Sequence, residues 1–150
     1  MQNSVFKKEF IFTNINCKNK QEALKFISEK AKLLNISSDA SKTYEGLVER
    51  EKEFTTNLGE FIAIPHTKNQ SILSPSVLFI KFKEPIVWGE KEEKVKVCIS
   101  LLMTVENSNK HLKLLSNISR KLINDEFKAS LLANNDDDKI FEIINNVLNI

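Results

Sequence analysis

The sequence predicts an α/β domain, a mixed sheet with helices packed on its faces. Three observations carry this expectation. Two strongly apolar runs, residues 76–82 (SVLFIKF) and 95–103 (VKVCISLLM), read as interior strands covered on both sides. Several polar segments repeat their apolar residues at steps of three and four, as amphipathic helices do. The order is strand, two helices, about three strands, then three helices, which differs from strict βαβ alternation and matches helices stacked on one sheet. At 150 residues and 17.2 kDa the chain is expected to form one domain over residues 1–150.

The first element is a strand over 10–15 (FIFTNI), short and rich in β-prone residues. Residues 21–35 follow as a helix, with Ala23, Leu24, Ile27, Ala31 and Leu34 on one face. Ser37, Ser38 and Asp39 are N-cap candidates for a second helix through 43–53, whose Tyr44, Leu47 and Val48 face the core. Residues 57–60 are read as a turn, and 61–64 as a short apolar strand running into Pro65. Between the two long strands, residues 85–93 are expected to form a polar bend containing Trp88 and Gly89. A helix over 110–124 carries the stripe Leu112, Leu115, Ile118 and Leu122, with Ser108 or Asn109 as cap. A shorter helix spans 127–133. Asp136, Asp137 and Asp138 precede a last helix containing Ile140, Ile143, Ile144, Val147 and Leu148. The three aspartates are read as an N-cap and first turn complementing the helix dipole rather than as a metal cluster.

Composition narrows the function. Apolar residues are 41% and charged residues 28%, which excludes wholesale disorder. A net charge of +2 does not by itself point to nucleic acid. Cys17 and Cys98 form neither a CxxC pair nor a disulfide framework, and Cys98 reads as a small buried hydrophobe. The N-terminus lacks a basic-then-apolar signal pattern and no stretch reaches the ~20 apolar residues of a membrane span, so the expected location is the cytoplasm. No G-x-G-x-x-G, Walker A or nucleophile-elbow pattern occurs, which removes the usual signs of a nucleotide site or a serine hydrolase.

Four scarce residues are worth tracing. Only Arg50 and Arg120 are arginines among 22 basic residues, and only His66 and His111 are histidines. His66 ends Ile62-Ala63-Ile64-Pro65-His66. Pro65 cannot donate a sheet hydrogen bond, so the strand is expected to stop near His66 and leave its imidazole at the sheet rim, where α/β folds place ligands. An imidazole there is a candidate nucleophile, because its ordinary pKa of about 6.5 leaves it mostly neutral near pH 7. Taken without further context, the commoner reading of such a residue is an ordinary loop histidine. His111 falls in the first turn of a helix, where free N–H groups attract anions; a plain surface residue is the other reading. Arg50 ends a helix, either meeting the dipole or resting in a solvated cluster with Glu49, Glu51 and Glu53. Arg120 reads as a surface or interface residue.

One longer pattern joins these residues. Leu47-Val48-Glu49-Arg50-Glu51, then Thr56, Leu58-Gly59 and Ala63-Ile64-Pro65-His66, resembles the enzyme IIA domain of the fructose–mannitol class of the bacterial phosphotransferase system. The similarity runs through the two long strands and the Trp88 bend to His111-Leu112-x-Leu114-Leu115, covering essentially the whole chain. Two positions depart from it, since the family usually has glycine where Asn57 and Phe61 stand. Asn57 tolerates a left-handed turn, while Phe61 adds bulk near the histidine. The resemblance implies that His66 accepts a phosphoryl group from the phosphocarrier HPr and passes it to a IIB domain attached to a sugar-transporting IIC permease. It further implies that Arg50 grips the phosphoryl oxygens, that His111 assists, and that Thr56 lends a hydroxyl. Nε2 is the nitrogen it leads one to expect. Neither metal nor cofactor is implied. The alternative reading is a regulatory IIA-like domain that senses phosphorylation and acts by protein binding.

Overall fold

The computed structural model describes residues 5–106 and 109–148, with the backbone alone for residues 109–112 and 115. A short 3₁₀ turn, Lys8–Phe10, leads into β1 (Ile11–Ile15), followed by α1 (Lys20–Leu33) and α2 (Ala40–Glu53). Three short strands come next: β2 (Asn57–Gly59), β3 (Phe61–Ala63) and β4 (His66–Lys68). The long strands β5 (Ser76–Val87) and β6 (Lys94–Met103) precede α3 (Asn109–Lys121), α4 (Asp125–Ala133) and α5 (Asp137–Leu148). The sheet is mixed and six-stranded among the described residues, in the order β1-β5-β6-β3-β2, with β4 also paired to β6. This is the predicted α/β class.

The helix starts follow from short polar side chains. Asn19 accepts the Glu22 N–H at 2.9 Å while Glu22 reaches back to the Lys18 N–H, a reciprocal cap that fixes the entry to α1. Asp39 caps α2 through the Lys42 N–H, and Asn124 caps α4 through the Phe127 N–H. Of the aspartate run, Asp136 accepts the Asp138 N–H, and Asp138 also pairs with Lys8.

β5 is buried on both faces from Ser76 to Phe82. Lys81 shows why a run reading as continuous core contains a lysine. Its side chain crosses to α4 and donates to the carbonyls of Leu131, Leu132 and Asn134 at that helix's C-terminus. Those orphan carbonyls and the negative end of the helix dipole solvate the ammonium group in place of water. By strand alternation Leu78, Ile80 and Phe82 point to the opposite face, where α1 meets β5.

Three local expectations are corrected. Residues 57–59 form strand β2, and of the expected turn only Glu60 remains; the reversal into β3 is made by Glu60 and Phe61, with φ of 51° and 70°. Phe61, not Asn57, therefore takes one of the left-handed conformations where the resemblance expects glycine. Its 48% exposure keeps the strained residue out of the core. Residues 85–87 extend β5 beyond a register shift, and Trp88 in the supposed polar bend is only 2% exposed. Finally, the edge strand does not stop near His66. The Pro65 carbonyl still accepts the Leu101 N–H, and β4 resumes pairing with His66 opposite Leu101. Proline removes one donor without changing the direction of an extended chain, so it interrupts the edge instead of ending it.

Candidate functional site

The site forms where the last turn of α2 meets the β3–β4 edge. α2 is held against β4 by a close approach at Gly46, where an added Cβ would lie 2.5 Å from Thr67 Oγ1 and 2.7 Å from Asn69 Nδ2. Buried hydroxyls fix the other end of the helix. Ser37 Oγ and Thr43 Oγ1 are 2.7 Å apart, and Thr43 Oγ1 and Ser71 Oγ are 2.6 Å apart, joining the α1–α2 and β4–β5 connections. Thr67 follows His66 in β4, and Arg50 lies one helical turn beyond Gly46. The packing that needs a glycine thus also brings the arginine to the histidine.

Arg50 Nε donates to His66 Nε2 at 2.9 Å. On the other side of the ring, His66 Nδ1 lies 2.8 Å from the Ile64 carbonyl oxygen. A carbonyl only accepts, so Nδ1 carries the proton and Nε2 presents its lone pair to the arginine. The imidazole is neutral, its tautomer is set by its own backbone, and it is half-buried at the sheet rim. The guanidinium has two further contacts: Nη1 donates to Glu53 Oε2 at 3.0 Å, and its carbon lies 5.9 Å from the Phe54 ring centroid.

Glu51 is a functional candidate that the sequence reading missed. Its neighbours Glu49 and Glu53 suggest a place in a solvated cluster, yet Glu51 is 8% exposed and turned inward. Its carboxylate accepts the Thr56 N–H, the Thr56 hydroxyl and the Trp88 Nε1–H, the last at 3.1 Å, and Lys20 Nζ lies 3.6 Å away. Three other parts of the chain therefore converge on the residue after Arg50. The available signal was the single tryptophan, because a buried indole requires an acceptor. Gly46 was also missed; a lone glycine inside a helical pattern was its signal.

The remaining predicted residues fall as follows. Thr56 is buried, with its hydroxyl given to Glu51. His111 lies in the first turn of α3, and its side chain is outside the described residues. Arg120 is exposed on α3 and reaches Ser116. Phe61 is removed from the histidine: their β6 partners, Val95 and Leu101, stand roughly 20 Å apart along the strand. Cys17 and Cys98 are both free thiols. Burial pushes the Cys98 thiol well above its ordinary pKa, and burial also raises that of Cys17, so neither is a thiolate nucleophile near neutral pH. A groove of about 660 Å³ runs beside Glu51, Glu53 and Phe54 but does not include His66. No group of three His, Cys, Asp or Glu side chains suited to a metal occurs among the described residues. None of their helices is long and apolar enough to cross a membrane.

A neutral rim imidazole with its lone pair toward a guanidinium is equipped to take up a transferable anionic group. Residues 4–147 match the family model described as phosphoenolpyruvate-dependent sugar phosphotransferase system, EIIA 2. The chain belongs to this family of phosphoryl-relay domains. It is 31% identical over 144 residues to a nitrogen regulatory protein of Klebsiella oxytoca, covering 94% of this chain and 88% of that one. It is 30% identical over 136 residues to multiphosphoryl transfer protein 1 of Escherichia coli, covering 91% of this chain but only 16% of that protein. For the fructose-specific EIIABC component of Bacillus subtilis the figures are 30% over 142 residues, 92% and 22%. Among solved structures, nitrogen regulatory protein IIA-Ntr from Neisseria meningitidis superposes with a TM-score of 0.84 at 22% identity, covering 93% and 96% of the two chains. The mannitol IIA in complex with phosphorylated IIB from Escherichia coli gives 0.78 at 23%, covering 94% and 99%. The structural likenesses bear on the fold.

Proposed function

We propose that this protein is a phosphocarrier of a sugar phosphotransferase system, with His66 as the residue that carries the phosphoryl group. One observation supports this above the rest: the Ile64 carbonyl fixes the Nδ1–H tautomer, leaving Nε2 as a lone pair beside Arg50. In the proposed reaction Nε2 attacks the phosphorus of phosphorylated HPr in line. The N–P bond forms as the bond from phosphorus to its HPr atom breaks, and no proton has to leave Nε2. The guanidinium turns its fork to the phosphoryl oxygens, which supplies the positioning and charge stabilisation that such transfers need. The Nδ1–H held by Ile64 steadies the positive charge that develops on the ring. His111, at a helix N-terminus, assists by hydrogen bonding the bound group. Thr56 contributes only by turning its hydroxyl away from Glu51.

The reverse sequence passes the group to a IIB domain, and the sugar is selected by the IIC permease. The location is the cytoplasm, and residues 1–150 act as one IIA domain. A regulatory role is the second reading, and the 31% identity along 88% of a nitrogen regulatory protein is the observation that favours it. Onward transfer to a IIB domain separates the two, since a sensor needs only to bind a partner according to its phosphorylation state.

Incubation with enzyme I, HPr and phosphoenolpyruvate tests the carrier. One acid-labile, base-stable phosphoryl group per chain is expected, none in His66→Ala, and one again in His111→Ala with slower onward transfer. Labelling retained in His66→Ala, or an acid-stable label, overturns the assignment.

A further inference from the structure

Before transfer, the nucleophilic nitrogen is occupied. The lone pair of His66 Nε2 accepts Arg50 Nε–H at 2.9 Å, in the space that phosphorus must enter. Glu53 holds the guanidinium in this pose through Nη1 at 3.0 Å, while Phe54 stands at its face. Arg50 is 34% exposed and Glu53 68% exposed at the side chain, so both have room to rearrange. Glu53 lies three residues after Arg50 on the same helical turn and differs in this from Glu51, whose carboxylate is buried and occupied by other donors. A phosphoryl group on Nε2 would bring more negative charge than one carboxylate, and it would compete with Glu53 for one planar fork.

We propose that Glu53 is a placeholder for the phosphoryl group. It holds Arg50 over Nε2 in the resting state and is displaced from the guanidinium when phosphoryl oxygens arrive. After transfer its carboxylate remains nearby as a rival for Arg50, which raises the energy of the phosphohistidine and favours passing the group on. Glu53 is thus a positioning residue that tunes how readily the carrier gives up its group. The inference rests on the phosphocarrier reading above.

Glu53→Gln tests it, keeping the side-chain shape and removing the charge. An exposed ion pair of this kind corresponds to about a two- to fivefold change. At a fixed ratio of phosphorylated to free HPr, the ratio of phosphorylated to unphosphorylated protein is expected to rise by about that factor in Glu53→Gln. Release to the acceptor should slow correspondingly. In an Arg50→Ala background the same substitution should have less than half its effect, because the competition runs through the guanidinium. An undiminished effect there would show Glu53 acting as a bare charge and overturn the placeholder. A second measurement needs no relay: inorganic phosphate titrated against the His66 ring signals by NMR should bind Glu53→Gln about two- to fivefold more tightly than wild type. Normal labelling of wild type with both Glu53→Gln readouts unchanged sinks this inference alone. Absence of phosphoryl transfer to wild-type His66 sinks the phosphocarrier reading, and the phosphate titration then still decides whether Glu53 competes for Arg50.

Discussion

Replacing Glu51 by alanine removes one buried carboxylate from beneath several donors. Two of these are rigid N–H groups, of Thr56 and Trp88; the Thr56 hydroxyl can rotate to another acceptor. Leaving a buried donor unpaired costs about 1–3 kcal/mol, so the two fixed donors set a range of roughly 2–6 kcal/mol. The groove lined by Glu51 admits water to the vacated space, which favours the lower part of that range, about 2–4 kcal/mol. For a domain of this size each kcal/mol moves the midpoint by about 2–4 °C, giving an expected fall of roughly 5–15 °C. Calorimetry measures it directly. Trp88, the single tryptophan, reports the same event, because its indole N–H exchanges a carboxylate for water and its emission should shift to the red. Glu51→Gln keeps the shape but turns an amide NH₂ toward donors, so it should fall between wild type and alanine. A melting point within about 2 °C of wild type, with unchanged emission, would refute the view of Glu51 as the anchor for the end of α2.

Other expectations rest on separate contacts. Gly46→Ala sets a helix-propensity gain of at most about 1 kcal/mol against overpacking of about 1–3 kcal/mol on Thr67 and Asn69, and the clash should win. The variant should melt lower and accept phosphoryl groups more slowly as Arg50 moves off His66; a higher midpoint with full transfer rate would contradict this. Arg50→Lys keeps the charge but loses the fork, and phosphoryl acceptance should slow by roughly 10²- to 10³-fold; stopped-flow rates within threefold of wild type would remove Arg50 from the transfer step. Burial, with a smaller contribution from Lys96, holds the Lys81 pKa below its ordinary 10.5. The unfolded chain therefore binds more protons between the lowered pKa and 10.5, and this contribution to stability rises with pH across that window. Denaturant titrations of wild type and Lys81→Met at successive alkaline pH values should show the difference moving in favour of wild type, and a flat or opposite trend would count against the assignment.

The sequence by itself determined the features that depend on neighbours a few residues apart. Steps of three and four placed α1, α2, α3 and α5 within a few residues of their observed ends, and Asp39 was a readable cap because capping is a local hydrogen bond. The apolar runs of β5 and β6 located the centre of the sheet. Scarcity and the position of His66 after Pro65 marked Arg50 and His66 as candidates, and the resemblance joined them into one site.

Tertiary structure decided what depends on partners far along the chain. Pro65 was read as a terminator because its local effect is to remove a donor, whereas β6 supplies an edge on which the chain resumes as β4. Lys81 and Glu51 sat in unremarkable local settings, one in an apolar run and the other in a charge cluster. Each is buried because its partner comes from elsewhere: the end of α4 for Lys81, and Thr56, Trp88 and Lys20 for Glu51. A polar group tolerates burial only where its hydrogen bonds are met, and its own sequence neighbours do not reveal who meets them. The contact between Arg50 and His66 has the same origin. Sequence spacing cannot set a 2.9 Å approach between a helix and a strand edge; the glycine gap at position 46 and the buried hydroxyl chain beside it do.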